Sequence, residues 1–212
     1  KARATLDRLA SLHDEGRIRR AEDLKWLGVA LSLLDYPKDA NDIFSEANRL
    51  NPDDHELHIQ WANLLLKNHN PAEALQSYEA ALELWPDHPD ALVGKAKILF
   101  RAANNLPEAG SVLEKALLLN PSHHDGKVLQ ARIALFLENN ARAVSISREM
   151  LRRNPHNQDA LALLAADAFL KGDEKAMARL WKQTRKTNPD NPGFWHEIAR
   201  FGERFHRYAE IV

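Results

Sequence analysis

The chain has 212 residues, 44% of them apolar and 28% charged, which permits either compact domains or one repeat array with a buried core and a solvated surface. Lys and Arg number 29 and Asp and Glu 30, a net charge of −1, so the basic footprint of a nucleic-acid binder is missing. There is no cysteine, which excludes disulfides, thiolate metal sites and cysteine nucleophiles, and the longest apolar run, Leu161 to Leu170, is broken by Asp167, well short of the roughly 18 residues a membrane span needs.

Residues 3–15 place Leu6, Leu9 and Leu12 at helical spacing. They predict a helix within residues 1–20 that either caps the chain or ends a preceding unit. From residue 21 onward a pattern recurs. Asn51–Pro52, Trp85–Pro86, Asn120–Pro121, Asn154–Pro155 and Asn188–Pro189 put the prolines 34, 35, 34 and 34 residues apart. A fixed period between about 20 and 50 residues signals a repeat architecture. The units are 21–54, 55–88, 89–123, 124–157 and 158–191, with 192–212 starting a sixth.

Each unit reads as two helices. The first carries Leu24, Leu27, Gly28 and Leu31 in unit one, Trp61, Ala62 and Leu65 in unit two, and Leu161, Leu164, Ala165 and Ala168 in unit five. The second carries slim residues twelve and five positions before the proline: Ala40 and Ala47, Ala74 and Ala81, Ala109 and Ala116, Ala143 and Met150, Met177 and Thr184. Between them stand Phe44, Tyr78, Leu113, Ser147 and Trp181. Steps of four and three put all three positions on one helical face. Small residues admit a close neighbour, and the larger one fills the space beside them.

Pro37, Pro71 and Pro107 fall where second helices begin, and a first turn tolerates proline. Glu22, Asp54, Glu56, Asp90, Asp125 and Asp159 open first helices and are read as partners of the helix dipole. The third unit has one extra residue, assigned to the turn Ala102-Ala103-Asn104-Asn105. Lys95 and Gln130 replace the large apolar residue of their first helices, and Ser147 the bulky residue of its second, which predicts looser packing or a bend mid-array. Trp195, Ile198, Ala199 and Tyr208 continue the register. A chain that starts at Lys1 and stops at Val212 inside a helical pattern is expected to be part of a longer protein.

Leu24-x2-Leu27-Gly28-x2-Leu31, Ala40-x3-Phe44 and Pro52 match the pattern W-x2-L-G-x2-Y, A-x3-F, P in register. On these residues, and over about 21–212, the chain resembles the tetratricopeptide repeat family. The resemblance implies an all-α fold, an α-solenoid of helix–turn–helix units wound into a right-handed superhelix, with first helices on the concave wall. It further implies a scaffold that binds a protein or peptide in that groove rather than an enzyme, with no cofactor.

The groove positions expected on this basis are Lys25, Asn63, Leu66, Lys67, Lys97, Phe100, Arg101, Arg132, Leu135, Phe136 and Phe169. Their mixture suits a partner with apolar anchors and acidic groups. For Leu66, Phe100, Leu135 and Phe169 a core role between units stands beside the groove role. One subset of the family clamps the C-terminal carboxylate of heat-shock chaperones with Lys and Asn, then Asn, then Lys and Arg. Here Lys25 and Val29, Gln60 or Asn63, and Asp90 and Gly94 occupy those places, so that clamp is not expected.

Other chemistry finds little support. His55, His88, His123, His124 and His156 lie near the turns between units, where successive turns stack along one edge and could bring ligands from neighbours together, and His55 and His58, three apart, could form half a site, yet no HExxH or similar spacing occurs. They are read as exposed loop residues, with no metal. G-x-S-x-G and the phosphate-binding glycine motifs are absent, and Gly110–Ser111 lies inside a predicted helix. Trp85 is expected either to pack over its turn or to mark a second contact site. Alternative roles are an accessory arm of a larger enzyme or of a bacterial envelope or secretion assembly, and a self-association module, monomer or weak dimer.

Overall fold

A computed structural model describes residues 8–9, 11–13, 15–101 and 105–204. Among these residues there are helices and turns but no strand. Residues 8–9 and 11–13 are helical, and Leu9 packs against the first core. Then follow α1 (Ala21–Leu33), α2 (Pro37–Leu50), α3 (His55–Lys67), α4 (Pro71–Leu84), α5 (Pro89–Arg101), α6 (Leu106–Leu119), α7 (His124–Phe136), α8 (Asn140–Arg153), α9 (Gln158–Leu170), α10 (Glu174–Arg185) and α11 (Pro192–Arg204). The predicted extra-residue turn falls, apart from Asn105, outside the described residues, as do Leu6 and Tyr208.

Four of the turns within helical pairs, those after α1, α3, α7 and α9, share one device. Asp35, His69, Glu138 and Gly172 have φ of 66°, 60°, 58° and 69°. At each, the next residue's N–H reaches back five residues: Tyr36 to Leu31 O, Asn70 to Leu65 O, Asn139 to Ala134 O, and Asp173 to Ala168 O, at 2.8–2.9 Å. This is a Schellman ending, which satisfies carbonyls the helix leaves open and reverses the chain. The next helix starts at once. Pro37 and Pro71 occupy first turns, and Asn70, Asn139 and Asp173 accept the backbone N–H of Glu73, Arg142 and Ala176.

The chain divides into two compact units, Lys1–Leu119 and Asn120–Val212. In unit 1, α1 pairs with α2, α3 with α4 and α5 with α6. First helices also meet directly, α1 with α3 and α3 with α5, whereas the second helices do not approach one another to that degree. The first helices therefore line the inner side of this unit. Ala40, Ala47, Ala74, Ala81, Ala109 and Ala116 are fully buried, so helix backbones lie close at each pair. Two glycines admit aromatic rings. A Cβ on Gly28 would come within 2.8 Å of the Phe44 ring, and one on Gly94 within 2.2 Å of the Tyr78 ring.

Unit 2 is built around α9. This helix touches α7, α8, α10 and α11, and buries residues all round its circumference, from Ala160 through Leu163 and Ala166 to Phe169. That explains why its sequence is apolar on every face. Phe194 and Ile198 of α11 pack against Ala162, Ala165 and Phe169, with Met177, Leu180 and Trp181 of α10 alongside.

The irregular positions have specific solutions. Lys95 donates to Glu79 Oε1 at 2.8 Å, so an ion pair between α5 and α4 stands where an apolar contact is usual. Ser147 is buried, and its hydroxyl returns to Ala143 O at 2.9 Å. Its helical site is thus occupied by a short, internally satisfied side chain.

Candidate functional site

The first seven predicted groove residues belong to the helices of unit 1, and they divide into two groups. Lys25 is only 5% exposed. Its ammonium lies 2.9 Å from both Asp54 Oδ2 and Glu22 Oε2. Burial opposes the charge, but the hydrogen bonds to Asp54 and Glu22 outweigh it and raise the Lys25 pKa above its ordinary value. Burial would likewise raise Asp54, yet Lys25 and the Leu57 N–H hold it below the usual carboxylate range. Glu22 is lowered by its bonds to Lys25 and Trp26. Lys25 is thus committed to its own chain. Asp54, expected as a helix-capping acid, does cap α3 by accepting from Leu57 N at 3.1 Å, and also fixes Lys25.

The second group is half-buried or exposed. Asn63 is exposed and its Oδ1 accepts the Tyr78 hydroxyl at 2.6 Å, leaving its amide N–H groups directed outward from that bond. Lys67 is exposed and reaches Asp35 Oδ1 at 3.2 Å and Ser32 O at 3.3 Å, a surface pair of small energetic worth. Lys97 and Phe100 are half-buried, and Arg101 is exposed. Leu66 and Arg101 are brought together at a hollow of about 230 Å³, which Ile98, His69 and Pro71 complete. Its lining is mainly apolar, with Arg101 as the charged member. Ile98, His69 and Pro71 were not anticipated as lining residues. His69 lies in the turn and Pro71 opens α4, and only the reversal after Leu66 brings them to this hollow.

In unit 2 the four predicted residues are placed differently. Leu135 is 0% exposed and Phe169 is buried, so both pack in the core, the second of the two roles open to them. Phe136 is half-buried against the same core. Arg132 makes two bonds of 2.8 Å to Glu197 of α11, Nε to Oε1 and a terminal nitrogen to Oε2. Burial disfavours its charge, but Glu197, with Asp159 and Asp125 further off, raises the Arg132 pKa. Glu197 is 5% exposed. The pair joins α7 to α11. A separate hollow of about 500 Å³ lies over α8, α9 and α10, with Arg148, Lys171, Arg179, Asp167 and Asp173 among its lining residues. Asp167 is spoken for, accepting from Asn140 and Lys171 at 2.7 Å each.

The histidines also separate. His123 caps α7 through Gly126 N at 3.2 Å, and His124 bonds Asp159 at 2.8 Å. His58 bonds Pro52 O at 2.8 Å. His55 and His88 instead flank Trp85, with ring centroids 5.0 Å from the indole on each side. Trp85 itself is 48% exposed. No helix among the described residues is long and apolar enough to cross a membrane.

Residues 59–124 match the family model described as tetratricopeptide repeat. Solved structures with the same fold cover most of the chain. One is a thermophilic tetratricopeptide-repeat protein of Thermus thermophilus, with TM-score 0.71 and 18% identity, covering 88% of this chain and 99% of the other. Another is a tetratricopeptide repeat protein from Parabacteroides merdae, with TM-score 0.76 and 13% identity, covering 99% and 82%. A third is PilW, described as a widely conserved type IV pilus biogenesis factor, with TM-score 0.72 and 14% identity, covering 90% and 88%. No curated protein sequence matches the chain.

Proposed function

From tetratricopeptide repeats, which serve in general as protein-interaction scaffolds, we propose that this chain holds a peptide segment on the inner face of unit 1. Asn63, Leu66, Lys97, Phe100 and Arg101 form the contact surface. One observation carries the reading: a mainly apolar hollow beside α3 and α5 has Arg101 among its lining residues. An apolar side chain entering the hollow next to a carboxylate would match both parts, burying apolar area and pairing the guanidinium. Asn63 is suited to a peptide carbonyl, since its oxygen is already engaged by Tyr78. Lys25 is not part of the surface, being enclosed by two carboxylates. The role is binding, without catalysis.

A random peptide library panned on the folded chain tests this. Enriched sequences are expected to carry Asp or Glu beside a large apolar residue. Arg101→Glu should weaken them at least about tenfold, the 1.4 kcal/mol of one charge-assisted bond, while leaving the circular dichroism unchanged. Enriched peptides that bind Arg101→Glu and Leu66→Lys as tightly as the parent would overturn the assignment.

A second reading, a component of an envelope assembly, is favoured by the fold shared with PilW over 90% of this chain. Cross-linking in the source cell, followed by identification of the attached proteins, distinguishes the two. Attachment to a membrane-associated assembly through unit 1 supports both at once, and attachment that survives Arg101→Glu removes the unit 1 face from either.

A further inference from the structure

Two histidines expected as separate loop residues converge. His55 begins α3, His88 lies just before α5, and Glu56 follows His55. One ligand atom from each of the three lies within 4.8 Å of the others. The imidazole centroids are 5.6 Å apart. None of the three side chains is fully exposed, and all belong to unit 1. We propose that His55, His88 and Glu56 bind a divalent transition-metal ion at the edge of unit 1.

Four observations support the site. First, His88 Nδ1 is buried and has no hydrogen-bond partner, while Asp90 Oδ2 stands 4.0 Å away, outside bonding range. A buried ring nitrogen in that state is either a cost to the fold or an available ligand. Second, Trp85 packs edge-on against both imidazoles, which fixes the rings and shields one side from water. Third, Gln60 donates to Glu56 Oε1 at 2.6 Å, the orienting outer contact that ligating carboxylates usually have. Fourth, the backbone on both sides is anchored: His88 N–H bonds Trp85 O at 3.2 Å, and Leu92 N–H bonds His88 O at 3.1 Å.

The donor set selects the ion class. Two imidazoles and one carboxylate suit Zn²⁺, Ni²⁺ or Cu²⁺ rather than Mg²⁺ or Ca²⁺, which take oxygen. Three protein ligands leave at least one position for water or for a ligand brought by a partner. Binding at about 2.0–2.2 Å from each donor requires the side chains to draw together from their present separation. Adjacent residues on a helix diverge, so Glu56 must reach by its length. The positive end of the α3 dipole opposes a cation there, and the Glu56 carboxylate is the group that offsets it. The ion would tie the start of α3 to the start of α5, joining neighbouring helical pairs at their turn edge.

The test is titration calorimetry of the untagged chain with Zn²⁺ alone. One equivalent is expected, with affinity reduced about 10- to 100-fold or more in H55Q and H88Q, reduced in E56Q, and unchanged in H156Q, whose histidine lies in a unit 2 turn. Ni²⁺ should quench tryptophan fluorescence in the parent and much less in W85F, a readout that needs no ligand substitution. Thermal melts without metal establish that each variant is folded. Uptake of no Zn²⁺ up to millimolar concentration, or equal uptake by parent, H55Q and H88Q, would overturn the site. Unaltered Ni²⁺ quenching in W85F would place the ion elsewhere and overturn it too.

Discussion

Unit 1 and unit 2 use the same helical register to opposite ends. In unit 1, glycines at 28 and 94 receive the rings of Phe44 and Tyr78, and the inner face keeps Asn63 and Arg101 exposed. In unit 2 the bulky site of α8 holds Ser147, the central helix buries most of its residues, and Arg132 is clamped to Glu197. Two arginines of first helices, Arg101 and Arg132, are therefore not equivalent. Arg132 meets an acid carried 65 residues further along, Glu197 of α11, whereas Arg101 is exposed.

The comparison can be broken most forcefully at Arg132. Arg132→Ala leaves Glu197 buried without its partner and should destabilise the chain by about 3–5 kcal/mol, read by denaturant unfolding, with faster amide exchange confined to unit 2. The double change Arg132→Met and Glu197→Met removes both charges and is expected to recover most of that loss. If Arg132→Ala costs less than about 0.5 kcal/mol, the pair behaves as a surface bridge and the contrast between the units dissolves.

Gly94→Ala probes unit 1. Its new methyl would overlap the Tyr78 ring, and displacing that ring also strains the bond to Asn63. A loss of about 1–3 kcal/mol is expected, accompanied by faster exchange in α4 and α5. An unchanged melting temperature would show that the ring has room to retreat.

The third test uses pH. Asp54 is held below its ordinary pKa by Lys25 and the Leu57 N–H. Its contribution is therefore complete above the unfolded value of about 3.9 and is lost as pH falls through the depressed folded value. Lys25 is raised, so its contribution is complete below about 10.4 and is lost as pH rises through the folded value. Asp54→Asn should cost about 2 kcal/mol at neutral pH and flatten the acid limb of the stability curve. An acid limb identical to the parent's would remove Asp54 from the account.

The smallest effect sharpens the comparison of turns. Glu138 takes a left-handed conformation that its counterpart Gly172 adopts without strain. Glu138→Gly should stabilise unit 2 by about 1 kcal/mol, measured as a rise in melting temperature. A fall would mean that the Glu138 side chain contributes more than its backbone conformation costs.

The repeat was legible because the proline period and the slim face of each second helix are local patterns that survive the absence of any single consensus residue. Unit two, for example, has Trp61 and Ala62 where unit one has Leu27 and Gly28, and both pairs are turned toward a core. The surface was only partly legible. Columns read down the repeats propose Asn63, Leu66, Arg101 and Arg132 alike, but cannot show that Arg132 is paired, because Glu197 is 65 residues away. Lys25 was misleading for the same reason: its partner Asp54 already had a sufficient role as a helix cap. The pairing of His55 with His88 needed the stacking of successive turns, a distance that no local spacing encodes.

The enclosure of Lys25 has a practical consequence. An ammonium wedged between two carboxylates and shut off from water is a poor nucleophile, so amine-acylating reagents should pass it over while modifying Lys67 on the same face. Chemical labelling followed by mass spectrometry would then report the integrity of the α1–α3 contact directly: acylation at position 25 marks molecules in which the first helix has come loose.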